Sequence, residues 1–276
     1  MSEDQGVRYD RIAEGYARHW GPVIEPAAVR LFDALAPLLS GPESRVLDIG
    51  TGTGTLAVHA LVRWPSVRVT GIDASSEMLQ WAAREAATRL GPALAAQFET
   101  IPAFADHLPF DDASFDLAMS SFVLQLVPSR AAALREVRRV LRPGAPFGYV
   151  TWLRGDGAVD PPDRILDEVL DEFGFDPPGP DGHSGDLASV RAAADGMRRA
   201  GFRDVAAHGD VLAHAWTVRG YVDFIEHFSE ESLFDELVAR ERRALRKRLA
   251  ERLGELRSDE LRMQLPVVYV TGRVSC

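Results

Sequence analysis

Apolar and polar positions follow two rhythms along the first 152 residues. Short runs of β-branched and aliphatic residues, "SRVLDIG", "SVRVTGID", "FDLAMSS" and "APFGYVTW", are separated by longer segments in which apolar residues recur every three or four positions. The runs predict buried strands. The segments "TLAVHALVRW", "SSEMLQWAAREAATRL" and "PSRAAALREVRRVLRPG" predict helices, since side chains share a face at a period of about 3.6 in a helix and about 2 in a strand. In the third helix Leu134, Val137 and Leu141 lie on one side, and Pro143-Gly144 ends it. Strands alternating with helices imply right-handed crossovers and a mostly parallel sheet covered on both faces. Ligands of such sheets bind at the carboxyl ends of the strands.

After Trp152 the rhythm breaks. "RGDGAVDPP" and "FDPPGPDGHSGD" are Pro/Gly/Asp-rich loops around the helical piece "RILDEVLDEFG", which reads as an insertion over the functional edge of the sheet. A second addition, about 218–262, is helical, and the β-branched run "LPVVYVTGRV" predicts a returning edge strand.

The stretch "DIGTGTGTLA", Asp48 to Ala57, places three glycines directly after the first strand. Gly50 and Gly52 fit the dinucleotide fingerprint G-x-G-x-x-G, but Thr55 holds the third position and Gly54 comes one residue early. A turn alone would also account for the glycines. Asp48 closes the first strand and Asp73 the second, where a carboxylate can accept both hydroxyls of a ribose. These features together point to a ligand with a ribose and without a diphosphate.

Composition narrows the function classes. With 31 Lys and Arg against 41 Asp and Glu, the formal net charge is −10. Nucleic acid is therefore not expected as a partner, because phosphate-backbone binding rests on clustered cations. The one cysteine, Cys276, excludes an internal disulfide and suits a reducing cytoplasm. The acidic start "MSEDQGVRYD" is not a signal pattern, and no apolar run approaches the roughly 20 residues that span a bilayer. No membrane association is expected.

Four spaced blocks, "VLDIGTGTGTLA", "VTGIDASSEML", "LPFDDASFDLAMSSFVLQLVP" and "LREVRRVLRPGAPFGYVTW", resemble in order and spacing the motifs of class I S-adenosylmethionine-dependent methyltransferases of the small-molecule type. The resemblance runs from about Tyr9 to Trp152. It implies a doubly wound, Rossmann-like α/β fold with a seven-stranded, mostly parallel sheet, its last strand antiparallel, and a helical cap. The expected layout is one domain over 1–276: lid helices at 1–40, a cofactor-binding core at 41–152, cap insertions at 153–186 and 218–262, and the edge strand at 263–276.

The implied cofactor is S-adenosyl-L-methionine, with S-adenosyl-L-homocysteine as product. Its methionine end would lie over Gly50, Thr51, Gly52 and Gly54, with Asp48 near the amino group. Asp73 would bind the ribose beside Ala74, and Met78 would lie against the adenine. Family members often carry G-D-A-E before L-P-F, but here the window reads "AFADHLPF". Phe104 stands where the Asp is expected, leaving adenine contacts to Phe104, Ala105 and Asp106, or leaving Phe104 as a core residue. Ser121, Phe122 and Gln125 fall where the family lines the methyl-bearing end. The segment "YDRIAEGYARHW" resembles a lid helix; Tyr9 and Tyr16, seven apart, share a face. A permanently docked helix would give the same pattern.

The acceptor is a small molecule, methylated on O, N or C. Its general base, if one acts, is open: His19, His183 and His227 are candidates, each also readable as a packing or surface residue. Trp20, Trp152, Phe224 and Phe228 are candidate acceptor contacts, and no metal is expected. Seven Lys/Arg residues lie from Arg240 to Arg252, while Leu237, Leu245, Leu249, Leu253 and Leu256 recur at spacings of three, four and eight, so the cations read as the solvated face of an amphipathic helix, with a homodimer contact as the next reading. A methyltransferase-like regulator or scaffold, and less so an NAD(P)-dependent oxidoreductase, are the other readings.

Overall fold

The computed structural model describes residues 3–39, 43–175 and 185–275. Seven strands form one sheet in the order β3-β2-β1-β4-β5-β7-β6. They are β1 (Arg45–Ile49), β2 (Arg68–Asp73), β3 (Phe98–Pro102), β4 (Leu117–Ser121), β5 (Pro146–Trp152), β6 (Phe202–Ala215) and β7 (Arg262–Val274). The first five pair in parallel, with Asp48 opposite Gly71 on one side and Met119 on the other. β7 runs antiparallel to both β5 and β6.

The final strand is therefore inside the sheet, and the expectation of an edge strand is corrected. β6 takes the edge. It is mostly solvent-accessible along its length, so its residues carry no alternating apolar pattern. The short β3 at the opposite edge was hidden for the same reason.

Four helices open on hydroxyl caps. Ser75 accepts from Met78 N at the start of α4 (Ser76–Ala95), Ser129 from Ala132 N in α5 (Arg130–Val140), Ser189 from Ala192 N in α7 (Val190–Arg199), and Thr217 from Gly220 N in α8 (Val218–Phe224). The sequence reading did not anticipate α7, a small-residue helix after the Pro/Gly loop.

The sheet separates two apolar layers. On one face α5 and α7 cover Leu47, Phe147, Tyr149 and Val268. On the other, α2 (Gly21–Leu35) and α3 (Thr55–Arg63) pack with α6 (Pro161–Glu172), α8, α9 (Glu231–Glu236) and α10 (Ala239–Leu253) over Val46, Met119, Val150 and Tyr269. The N-terminal α1 (Glu3–Gly15) passes into one wider π-helical turn, Tyr16–Trp20, before α2. A second π-turn, Ile225–Ser229, follows α8, and the two face each other at the carboxyl end of the sheet.

Candidate functional site

Each glycine after β1 answers a different demand. Gly50, Gly52 and Gly54 have φ of +64°, +54° and +87°, a region that costs other L-residues about 1–2 kcal/mol. A Cβ on Gly50 would stand 2.2 Å from Val123 Cγ2. A Cβ on Gly54 would stand 3.2 Å from Ala82 Cα, so Gly54 lets the start of α3 approach α4. The dinucleotide fingerprint uses its third glycine for close helix–strand packing; here the glycine one position early serves helix–helix packing instead. A Cβ on Gly52 would meet only Tyr16, its hydroxyl at 3.9 Å, so space is left open above this residue.

Two buried carboxylates flank the loop. Asp48, 1% exposed, accepts from Thr51 Oγ1 at 2.8 Å through Oδ2, while its Oδ1 is buried without a hydrogen-bond partner. Burial pushes its pKa up to about 7, against the lowering effects of the Thr51 hydroxyl and of the Ala57 backbone N–H at the start of α3. Asp73, 5% exposed, accepts from Gly52 N through Oδ2 and from Ser75 N through Oδ1, both at 3.0 Å. Burial again dominates and raises it to about 6. Asp73 thus braces the glycine loop against the start of α4.

A third carboxylate was missed in the sequence. Asp10 on α1 accepts from Ser75 Oγ at 2.7 Å and Glu77 N at 3.0 Å, fastening α1 to the N-terminus of α4. The latch sets Tyr9 and Tyr16 edge to face at 6.1 Å. Both phenols are raised in pKa, chiefly by burial and further by Asp73, Tyr9 to about 12. They stay protonated donors over the two aspartates. Gly15 seats the lid on the cap: a Cβ there would lie 1.7 Å from the His227 carbonyl oxygen.

At the end of β4, Phe122 adopts φ +56°, costly for a bulky side chain. Phe122 N donates to Val150 O at 2.8 Å, Gln125 Nε2 donates to Phe122 O at 2.7 Å, and Thr151 Oγ1 donates to Gln125 Oε1 at 2.6 Å. Gln125 is thus tied to backbone and Thr151, and Ser121 ends the strand beside it. Of the residues expected to contact adenine, Met78 and Ala105 are buried, whereas Phe104 and Asp106 are partly exposed in a turn closed by a Phe104–His107 bridge. Ala74, whose carbonyl oxygen would lie 3.1 Å from a Cβ on Gly6, sits under α1.

Beyond Phe122 the candidate acceptor residues converge. Phe122 lies 4.1 Å from Trp152, Trp152 6.1 Å from Trp20, and Trp20 stacks on Phe228 at 5.7 Å and tilts on Phe224 at 5.4 Å, all between ring centroids. Tyr16 joins at Phe228 and Trp216 at Phe224. The two π-turns supply Tyr16, Trp20 and Phe228, and such turns recur at functional sites. His19 and His227 stack at 5.3 Å beside this cluster; burial first, then His227, lowers the pKa of His19. His183 lies outside the described residues. Asp223, Glu226 and His227 bring ligand atoms within 4.8 Å of one another. The two carboxylates already face guanidinium groups: Arg246 contacts both, and Arg242 Nε lies 2.8 Å from Glu226.

A glycine loop after β1 and an acid after β2, at the carboxyl end of a 3-2-1-4-5-7-6 sheet, is the arrangement in which open α/β sheets receive nucleotide-type ligands. Residues 46–144 match the family described as a methyltransferase domain. Over 112 residues the chain is 36% identical to the ubiquinone/menaquinone biosynthesis C-methyltransferase UbiE of Geotalea daltonii, covering 40% of this chain and 46% of that one. It therefore spans less than half that relative's length. Among solved structures it is similar to the (4+2)-cyclase SpnF (20% identity, TM-score 0.58, 100% of this chain and 97% of that one). It is also similar to the phosphoethanolamine N-methyltransferase 2 of Haemonchus contortus, solved with phosphomonomethylethanolamine and S-adenosylhomocysteine (18% identity, TM-score 0.55, 91% and 53%). Residues 46–144 thus carry a methyltransferase domain, similar to those of class I S-adenosylmethionine-dependent enzymes.

Proposed function

We propose that this protein transfers a methyl group from S-adenosyl-L-methionine to a small-molecule acceptor and releases S-adenosyl-L-homocysteine. The observation that carries the reading is Asp48 Oδ1, a buried carboxylate oxygen without a partner. Leaving such an atom unpaired costs about 1–3 kcal/mol or more, and an ammonium group at the end of β1 supplies the missing donors. Each Asp73 oxygen takes one N–H and keeps a lone pair for a ribose hydroxyl. The residues present therefore fit the cofactor. Met78, Ala105 and Phe104 are the adenine-side contacts, with Asp106 at the rim.

When bound, the cofactor supplies a sulfonium methyl already activated for in-line displacement. The protein's task is then to align the acceptor and keep water out, and alignment of this kind is worth about 7–11 kcal/mol. Tyr9 and Tyr16 cover the loop, Phe122 and Gln125 wall its methyl end, and Trp20, Trp152, Phe224 and Phe228 offer flat apolar faces to the acceptor. For a hydroxyl acceptor, His19 is the base we favour, because it lies beside the aromatic cluster and burial lowers its pKa, which favours the neutral imidazole.

The basic helix supports a reading without nucleic acid. Arg248 and Arg252 are paired with Glu172 and Glu168 of α6, and Arg242 and Arg246 with Glu226. No described helix is long and apolar enough to cross a membrane. A cytoplasmic location and a homodimer through α10 complete the proposal, the latter checked by sedimentation.

Calorimetric titration with S-adenosylhomocysteine and with NAD is the first test. Saturable one-site binding of the former alone is expected, and Asp73→Ala should weaken it by at least several-fold. Binding of NAD alone would move the protein to the oxidoreductases. Turnover of labelled cofactor on a panel of phenols and amines then separates an enzyme from a cofactor-binding regulator, which would bind and never transfer.

A further inference from the structure

On the face of the sheet opposite the aromatic cluster, α5 and α7 splay apart above β5. Between them lies a cavity of about 530 Å³. Tyr149 lies at its base, its walls are aliphatic, including Leu134, Leu187 and Ala192, and its charged lining is Arg130, Arg135 and Arg199 with one acid, Asp186. The volume is in the range of sites for small organic ligands, about 300–1,000 Å³.

The arginines make the cavity more than a packing gap. Arg130 is fixed, with Nε donating to Leu124 O at 3.1 Å and Nη2 to Gly185 O. Asp186, which also lines the cavity, faces Arg130, whose pKa burial lowers and this carboxylate raises; Arg135 and Arg199 are exposed and form no ion pair among the described residues. Their neighbours on the same two helices are matched: Arg139 with Glu136 and Asp112, and Arg198 with Asp195. Two unmatched guanidinium groups beside an apolar hollow are unusual on a chain of net charge −10. A guanidinium fork suits a carboxylate or a phosphate, and the hollow suits an apolar body attached to it.

We propose that the α5–α7 cavity is a second ligand site, separate from the methyl-transfer site, that takes an amphiphilic organic anion: a carboxylate or phosphate head on an apolar body. Arg135 and Arg199 hold the head, and the body lies over Tyr149 between Leu134 and Ala192. Affinity needs both parts.

Octanoate, octyl phosphate, 1-octanol and inorganic phosphate, titrated by calorimetry into the full-length protein below their micellar concentrations, test this. One equivalent of octanoate or octyl phosphate should bind, the tighter of the two naming the head, and 1-octanol and inorganic phosphate should bind at least tenfold more weakly. The double variant Arg135→Gln/Arg199→Gln should weaken the anion at least tenfold. Both positions are on the surface, and an unchanged melting temperature will show that the fold is kept. Ala192→Phe, which fills the hollow from a partly buried position, should weaken it similarly while leaving S-adenosylhomocysteine affinity unchanged. No binding of either anion to the wild type, equal binding of 1-octanol, or full affinity in the Gln/Gln variant would overturn the proposal.

Discussion

Asp48 shows how one atom joins stability to binding. Its folded-state pKa of about 7 exceeds the ordinary 3.8 because burial penalises the charge. The folded state therefore holds the proton more tightly than the unfolded chain. Its contribution to stability is complete below about pH 4 and is lost as pH rises through 7; Asp73, raised to about 6, acts in the same direction. Asp48→Asn should remove most of this decline, so wild type without ligand should lose melting temperature relative to the variant between pH 5 and 8. Parallel curves would contradict the assignment. An ammonium ligand favours the ionised carboxylate, so S-adenosylhomocysteine should bind more tightly at pH 8 than at pH 6, with proton release measurable in buffers of different ionisation enthalpy. The glycines separate by the same kind of reasoning. Gly50→Ala drives a methyl into Val123 and should destabilise the fold by about 2–4 kcal/mol, combining the strain of positive φ with overpacking. Gly52→Ala meets only Tyr16, at ordinary van der Waals distance, and should cost about 1–2 kcal/mol of fold stability while losing most ligand affinity. Equal stability losses in urea would mean that the loop is uniformly structural. Asp48, Asp73 and the glycines were legible in the sequence because strand, turn and helix are contiguous there. Asp10 was not, since its partners Ser75 and Glu77 lie more than sixty residues away.

At the scale of elements, α1 and the two π-turns decide access to the site. The spacing of Tyr9 and Tyr16 correctly placed them on one face, but left open whether the helix is hinged or docked. The structure shows α1 docked over the glycine loop, tied to α4 through Asp10 and to α9 through Arg11, which reaches Glu231 at 3.2 Å and Ser232 at 3.1 Å. The Arg11 pair is exposed on the arginine side and contributes up to about 1 kcal/mol. The Asp10 carboxylate takes two hydrogen bonds at a helix N-terminus and contributes more. Opening α1 thus means breaking one strong contact and a few weak ones, which is the balance a cover requires. Asp10→Ala should raise amide exchange across Tyr9 to Trp20 without ligand by about an order of magnitude, and S-adenosylhomocysteine should restore part of the protection. Identical exchange in wild type and variant would show that the latch carries no weight. The π-turns themselves could not be read from periodicity, because one extra residue per turn is set by the aromatic contacts of Trp20 and Phe228 across the interface rather than by local propensity.

The whole molecule raises the question of whether the helical additions form a unit of their own. The sequence marked them as insertions because Pro/Gly/Asp-rich loops interrupt the strand and helix rhythm. What local pattern could not convey is where their apolar faces go. Leu245, Leu249 and Leu253 of α10 are fully buried, and they belong to the same apolar layer as Leu31 of α2, Leu166 and Val169 of α6, Tyr221 of α8 and Val267 of β7. β7, the strand that follows the second addition, is also threaded between β5 and β6, so the sheet cannot close until α8 to α10 have been passed. A cap sharing its core and its chain path with the sheet should melt with it. Unfolding in urea should therefore be one transition, with far-ultraviolet dichroism and tryptophan fluorescence coincident, because the tryptophans report from both parts: Trp64 against α2, Trp216 against the cap. Leu249→Ala, which empties a fully buried site at the centre of α10, should cost about 2–5 kcal/mol and move both probes together. The ion pairs between α10 and α6 are mostly exposed, and Glu172→Gln should leave the midpoint of unfolding almost unchanged. An early fluorescence transition in Leu249→Ala, with the helical signal of the sheet domain retained, would show instead that the cap folds on its own and only rests on the site it covers.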